Sequence, residues 1–301
     1  MKKTIGIFAI IFIAIIGIYF WTQNGSYDPD ALEREEVTTT TTPVVETPTE
    51  AKTAPTTSVI GMSVEKRDIT AYHYGTGETE VLFVGGIHGG YSWNTSLVAY
   101  ELMDYLEKNL SAVPAKVTVT VIPVLNPDGL SKVVSAAGPF AKADVSASSQ
   151  FRIAGRFNAH KVDLNRNFDC GWKSTGTWQN TPVSGGSTAF SEPESVAVKT
   201  YVEKENPTAV VVWYSAVGGV FSSSCGSVVS SVTRTLTNLY AVASGYPAHE
   251  SFDFYETTGD MANWLAKKNI PAISVLLTDH KNTEWDKNRK GIDALLKRYA
   301  Q

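Results

Sequence analysis

Three short segments of this chain concentrate side chains able to do chemistry. His88 lies in the loop Gly85-Gly86-Ile87-His88-Gly89-Gly90, and an imidazole can ligate a metal or move a proton. Val162-Asp163-Leu164-Asn165-Arg166-Asn167-Phe168-Asp169 brings carboxylates, amides and a guanidinium close together. A guanidinium fork suits a carboxylate, and Arg166 could instead form a structural ion pair with Asp163 or Asp169. The apolar run ending Trp213-Tyr214-Ser215 places two hydroxyls at a strand end. His73, His160, His249 and His280 are scattered; they read as surface residues or, alternatively, as ligands of a displaced metal site. The only two cysteines are Cys170 and Cys225. In an oxidising compartment they would pair, closing a loop worth about 4 kcal/mol; two buried free thiols are the alternative. A cysteine-based zinc site needs more ligands than these.

The elements that position these groups follow from pattern. Val81-Leu82-Phe83-Val84 is a short apolar run entering a glycine loop, as a buried strand does. Residues 94–110 carry Leu97, Ala99, Leu102, Met103, Leu106 and Leu110 at helical spacing. Residues 117–124 are β-branched and end at the turn Asn126-Pro127-Asp128-Gly129. Ser191-Glu192-Pro193-Glu194 predicts a capping box opening a helix through about Lys204. A strand at 209–213, a helix at 259–268, a strand at 272–277 and a helix at 285–299 complete the pattern. Strands alternating with helices predict an α/β fold: a mixed, mainly parallel twisted sheet with helices on both faces. Such a sheet places its site in the loops at strand ends.

The bulk numbers fit one large domain with appendages. Of 301 residues, 43% are hydrophobic and 19% charged, with a net charge of −4. That balance argues against nucleic acid, whose phosphates need a basic surface. Met1-Lys2-Lys3 precedes an uncharged apolar run over 5–21 that ends Tyr19-Phe20-Trp21. The run is near the short limit for crossing a bilayer, the lysines predict a cytoplasmic N-terminus, and the aromatics suit the opposite interface. Residues 1–22 therefore read as a membrane anchor or, alternatively, as a signal segment that is cleaved and leaves a secreted protein. No small-residue cleavage pattern follows the run. Residues 23–58 form a Thr/Pro-rich stalk with no apolar period. The folded domain is expected over 59–301, outside the membrane.

The order and spacing of the His88, Asn126, Asn165-Arg166 and Tyr214 segments resemble the zinc carboxypeptidase family, the relatives of carboxypeptidase A. The resemblance covers nearly all of the folded domain, and Asn165-Arg166-Asn167-Phe168 is its most specific part. It implies a carboxypeptidase-like fold and a zinc held by a His and a Glu after one strand and a second His at the end of another. Three protein ligands leave a coordination position for an acidified water, and a Glu on a late strand acts as general base. An Asn-Arg pair and a further Arg hold the substrate's terminal carboxylate, and a loop Tyr closes over it.

Carried over residue by residue, His88 matches the first ligand. Tyr91 or Ser92 stands where the Glu is expected, since Glu101 is too far along the helix; Tyr214 stands where the second His belongs. Leu276 occupies the general-base position. Losing even a group that orients a ligand costs about 10- to 100-fold in metal affinity or activity, and an absent general base costs about 10²- to 10⁴-fold in rate. Zinc is therefore expected to be lost or weakly held. The carboxylate-holding half matches in Asn165, Arg166 and Arg156 (Arg152 being the alternative second arginine), and Tyr255 matches the loop tyrosine. The expectation is a non-catalytic domain that binds the C-terminus of a peptide or protein. An active metallocarboxypeptidase with an atypical metal shell and a structural or partner-binding domain with a vestigial cleft remain the alternatives.

Overall fold

The computed structural model describes residues 55–135 and 138–301. The predicted anchor and residues 23–54 of the predicted stalk lie outside the described residues. Among the described residues no helix is long and apolar enough to cross a membrane.

The strands are β1 Thr56–Met62, β2 Asp68–Tyr74, β3 Thr79–Val84, β4 Val117–Ile122, β5 Thr175–Trp178, β6 Thr181–Ser184, β7 Ala209–Ser215, β8 Gly219–Ser222, β9 Ala248–His249 and β10 Ala272–Leu277. The helices are α1 Trp93–Lys108, α2 Pro127–Ser131, α3 Ser149–Ala154, α4 Pro193–Glu205, α5 Ser231–Ser244, α6 Met261–Lys267 and α7 Trp285–Tyr299. Eight strands form one sheet in the order β1-β2-β4-β3-β7-β10-β8-β9, and β5 and β6 form a separate hairpin. The four central strands, β4, β3, β7 and β10, are mutually parallel. Antiparallel pairing is confined to the flanks, at β1/β2, β2/β4 and β8/β10.

The central strands are apolar on both sides because both sides are covered. Along β3, Val81 and Phe83 point into one core and Leu82 and Val84 into the other, the two-residue alternation of a pleated strand. The first core is closed by α1, α5 and α7 through residues such as Leu102, Tyr240 and Leu295. The second is closed by α4 and α6, through Val198, Trp264 and Leu265, together with Leu164 and Phe168. Fold class and the two-faced cover agree with the pattern in the sequence.

Several elements differ from that pattern. The predicted box at Ser191 does not form: Glu192 is the N-cap, Pro193 is the first helical residue, and no side chain caps the end. Proline forces the residue before it into extended backbone, which leaves Ser191 outside the helix. The Glu194 carboxylate instead accepts from Val64 N–H and Asn158 Nδ2, both at 3.1 Å. Helix α6 begins at Met261, capped by Asp260, whose carboxylate accepts from Asn263 N–H at 2.8 Å. Strand β1 begins at Thr56, within the tail of the predicted Thr/Pro tract, and pairs with β2. The hairpin β5–β6, helix α5 and the short strands β8 and β9 are further elements that the sequence pattern did not resolve.

Candidate functional site

The loops after β3, β7 and β10 meet at the C-terminal ends of these parallel strands and enclose a cleft of about 560 Å³. His88, Tyr91, Arg156, Asn165, Arg166, Tyr214, Tyr255 and Leu276 all line it. Ser92 does not; it is the N-cap of α1, buried, with its Oγ unpaired among the described residues. Tyr91 is therefore the residue that faces the cleft at the position in question. Arg152 donates to the Ser146 and Ala147 carbonyls at 3.1 and 2.9 Å, and Glu101 accepts from Thr283 at 3.1 Å. Neither reaches the cleft lining.

The centre of the site is a buried polar chain. Asp163 Oδ2 accepts from Arg156 Nε at 2.9 Å and Nη2 at 2.7 Å, and its Oδ1 accepts from Asn165 N–H at 3.1 Å. The Arg156 guanidinium and the neighbouring His88 hold the Asp163 carboxyl well below the usual carboxylate range despite its burial. Asn165 Nδ2 donates to Asp260 Oδ2 at 2.8 Å, and its Oδ1 accepts from Tyr214 O–H and Met261 N–H, both at 3.1 Å. Arg166 is 1% exposed. Its Nε and Nη2 donate to Thr177 O at 3.2 and 2.7 Å, and its Nη1 donates to Asn165 O at 2.7 Å. It pairs with neither candidate carboxylate, because Asp163 is taken by Arg156 and Asp169 by Lys267 at 2.9 Å. Arg166 is a buried cation held by neutral carbonyls on the wall of a cleft.

His88 is buried and both its ring nitrogens lack a hydrogen-bond partner among the described residues. Its Nε2 stands 3.5 Å from Asp163 Oδ1, too long for a well-made bond. Burial first, and then the Arg156 charge, push the imidazole down to about 4, so it is neutral at physiological pH. The Tyr214 ring lies 5.7 Å from it, tilted. In the parallel register Leu276 sits directly beside Tyr214, and Leu277 beside Ser215. Burial drives the Tyr214 phenol far above its usual value, so it stays protonated and spends its proton on Asn165. One neutral imidazole, protonated phenols and a leucine are not a zinc donor set. Among the described residues no group of three or more His, Cys, Asp or Glu is placed to hold a metal ion.

The remaining histidines disperse. His73 bonds Ser58 at 2.8 Å and Thr120 at 3.0 Å, and His160 pairs with Glu192 at 2.8 Å. His249 stacks on Phe221 at 4.4 Å. Only His280 joins His88 in the cleft lining, where Ser215 Oγ lies 2.9 Å from its Nδ1. The cleft continues between Phe221, Phe252, Phe254 and Tyr255, with Asp260 and Ser274 as polar members of its lining. Tyr255 meets Phe252 edge-on at 4.9 Å, and the Arg166 guanidinium carbon lies 5.9 Å from its ring centre. Cys170 and Cys225 form a disulfide, with Cα atoms 5.8 Å apart.

Sequence reasoning missed the aromatic wall and the hairpin residue Trp178. The hairpin had a signal in β-branched Thr175, Thr177 and Thr181 around the two-residue loop Gln179-Asn180. Gln179 adopts φ 53° in a turn that usually advertises itself as Asn-Gly.

The zinc carboxypeptidase family model matches residues 46–295. The catalytic chain of human carboxypeptidase N is 27% identical over 210 residues, covering 64% of this chain and 40% of its own. This chain spans less than half the length of the curated relatives it matches. Bovine thrombin-activatable fibrinolysis inhibitor, solved in complex with tick carboxypeptidase inhibitor, superposes with a TM-score of 0.64 at 18% identity, covering 82% of this chain and 88% of that one. Murein-tripeptide amidase from Escherichia coli O157 superposes with a TM-score of 0.55 at 20% identity, covering 82% and 93%. Both likenesses are of fold.

Proposed function

This chain belongs to the zinc carboxypeptidase family, and from that premise we propose that it is a non-catalytic member that binds the C-terminal carboxylate of a peptide or protein. The observation that carries the reading is the asymmetry of the cleft. Arg156 and Arg166 are buried in its wall, while Tyr91, Tyr214 and Leu276 line it where the family resemblance leads one to expect two metal ligands and a general base.

Each residue has a role that needs no metal. Arg166 and Arg156 have N–H groups beyond those used by Thr177, Asn165 and Asp163. These can donate to a carboxylate in charge-assisted bonds. The neutral imidazole of His88 can donate to or accept from the ligand's backbone, satisfying a buried group that otherwise lacks a partner. Asn165 is committed to Asp260, Tyr214 and Met261, so it serves mainly to fix the arginine segment. The aromatic wall can take the ligand's side chain. Zinc, where the family holds it, supplies the activated water; this donor set does not fit it. The Cys170–Cys225 disulfide favours an oxidising compartment, in keeping with a domain held outside a membrane by residues 1–22.

Calorimetric titration with matched peptides, one ending in a free carboxylate and one in an amide, tests the reading. The acid should bind and the amide should not. Arg166→Ala should weaken the acid at least about 30-fold, since truncating a buried charge partner costs about 2–5 kcal/mol. Equal binding of both peptides, or none before and after the change, would mean the cleft is not a carboxylate receptor. A second reading, hydrolysis through a rebuilt metal shell, draws on His280 lining the cleft with His88. Release of C-terminal residues from the acid peptide, abolished by a chelator, would favour it.

A further inference from the structure

The hairpin β5–β6 touches both cleft arginines, each in a different way. Its Thr177 carbonyl accepts two bonds from Arg166, and Gly176 lies against the arginine stem. A Cβ on Gly176 would fall 2.8 Å from Arg166 Cδ. The Arg166 backbone is packed as closely by Gly259, at φ +62°, whose Cβ would fall 2.2 Å from Arg166 O. Arg166 is thus closed in between the hairpin and the loop entering α6. Arg156 is held through its flat face. Its guanidinium carbon lies 4.5 Å from the centre of the Trp178 ring and 5.6 Å from that of Tyr91, while Asp163 occupies its edge. Trp178 and Tyr91 meet edge-on at 4.8 Å, and Phe157 supports Trp178 at 6.4 Å.

We propose that the Thr175–Ser184 hairpin is a clamp that presets Arg156 and Arg166 as one rigid carboxylate receptor, with Trp178 as the positioning residue that holds Arg156. A flexible arginine loses rotamer freedom when it grips a ligand, and prior immobilisation removes that cost. Cation–π contact is most favourable with tryptophan. A cleft whose cations are two side chains needs such a device more than one whose cation is a coordinated metal. Tyr91, which stands where the family resemblance expects a ligand carboxylate, here becomes a second wall for the guanidinium. The hairpin tip, Gln179 and Asn180, also lines the cleft, so the clamp meets whatever enters.

The proposal rests in part on reading the cleft as a carboxylate receptor, and two measurements separate them. The first uses the free protein. The Arg156 Nε–Hε resonance should be shifted by the neighbouring rings and persist against exchange. Trp178→Ala should abolish the shift and Trp178→Phe should keep most of it, while Gly176→Ala should move the Arg166 signal instead. The second measures binding: Trp178→Ala should lower the preference for acid over amide peptide about 30-fold, the size of one lost cation–π contact on a buried group, with Trp178→Phe restoring most of it. An Arg156 signal unchanged in Trp178→Ala overturns the clamp, as does an undiminished acid preference. If the signals move as stated while wild type binds neither peptide, the clamp stands and the receptor reading fails. A drop in melting temperature shared equally by Trp178→Ala and Trp178→Phe, without the difference in signal, would also count against it.

Discussion

Asp163 spends both oxygens on neighbours, two bonds of one going to Arg156. Asp163→Asn would leave a buried guanidinium without its counter-charge, and stability should fall by about 3–5 kcal/mol, read by urea denaturation. His88 makes a pH-dependent contribution of determined sign. Its folded-state pKa of about 4 lies below the ordinary histidine value, so as the pH falls the unfolded chain takes the proton first. Stability is therefore lost between about pH 6.5 and 4, by about 3 kcal/mol in total, and is unaffected above neutrality. His88→Gln should lack this part of the slope when the two proteins are unfolded side by side at pH 7.5 and 4.5. That Tyr91, Tyr214 and Leu276 would share a cleft with His88 was legible in the order of the segments that carry them. The partner of Arg166 was not. The sequence offered Asp163 or Asp169 as an ion-pair partner beside a carboxylate-binding role, but Arg156 takes Asp163, Lys267 takes Asp169, and the guanidinium donates to Thr177 O.

At the scale of elements, the apolar central strands were legible and the flanking strands were not. Strand β10 and helix α7 fall where the pattern puts them because their burial is strong and periodic. Helix α5 escaped because four of its fourteen residues are threonine or β-branched valine in its first turns, poor helix formers away from a core. Its identity comes from its ends, the Ser230 cap and Gly245 at φ 77°, and from packing against α7. The disulfide joins the segment just after Arg166 to the loop after β8, and Cys170 O accepts from Gly259 N–H at 2.8 Å. With 55 residues in the closed loop, replacing both cysteines by serine should cost about 4 kcal/mol. Thermal melts of the paired variant would record that loss. Gly259→Ala should be more damaging than an ordinary surface change, since both its backbone angle and its clearance from Arg166 exclude a side chain.

For the molecule as a whole, the chain keeps the fold of the zinc carboxypeptidase family, and on the proposed reading its cleft relies on arginines rather than on a metal. The two-faced parallel sheet still brings the ends of β3, β7 and β10 together, so missing groups could be put back where they stand. Tyr91→Glu, Tyr214→His and Leu276→Glu together should restore zinc uptake, detected as metal retained through gel filtration by the triple variant and not by wild type. That His88, Tyr91, Arg156, Arg166, Tyr214 and Leu276 share one cleft was readable from residue order; the hairpin that holds the arginines was not, because its contacts join parts of the chain that only the fold brings together. The most direct test is the zinc content of the wild-type protein, measured by elemental analysis after equilibration with dilute zinc and dialysis. Far less than one equivalent per chain is expected, with acid-peptide binding unchanged by a chelator. One zinc retained per chain, with peptide binding that needs it, would contradict the account.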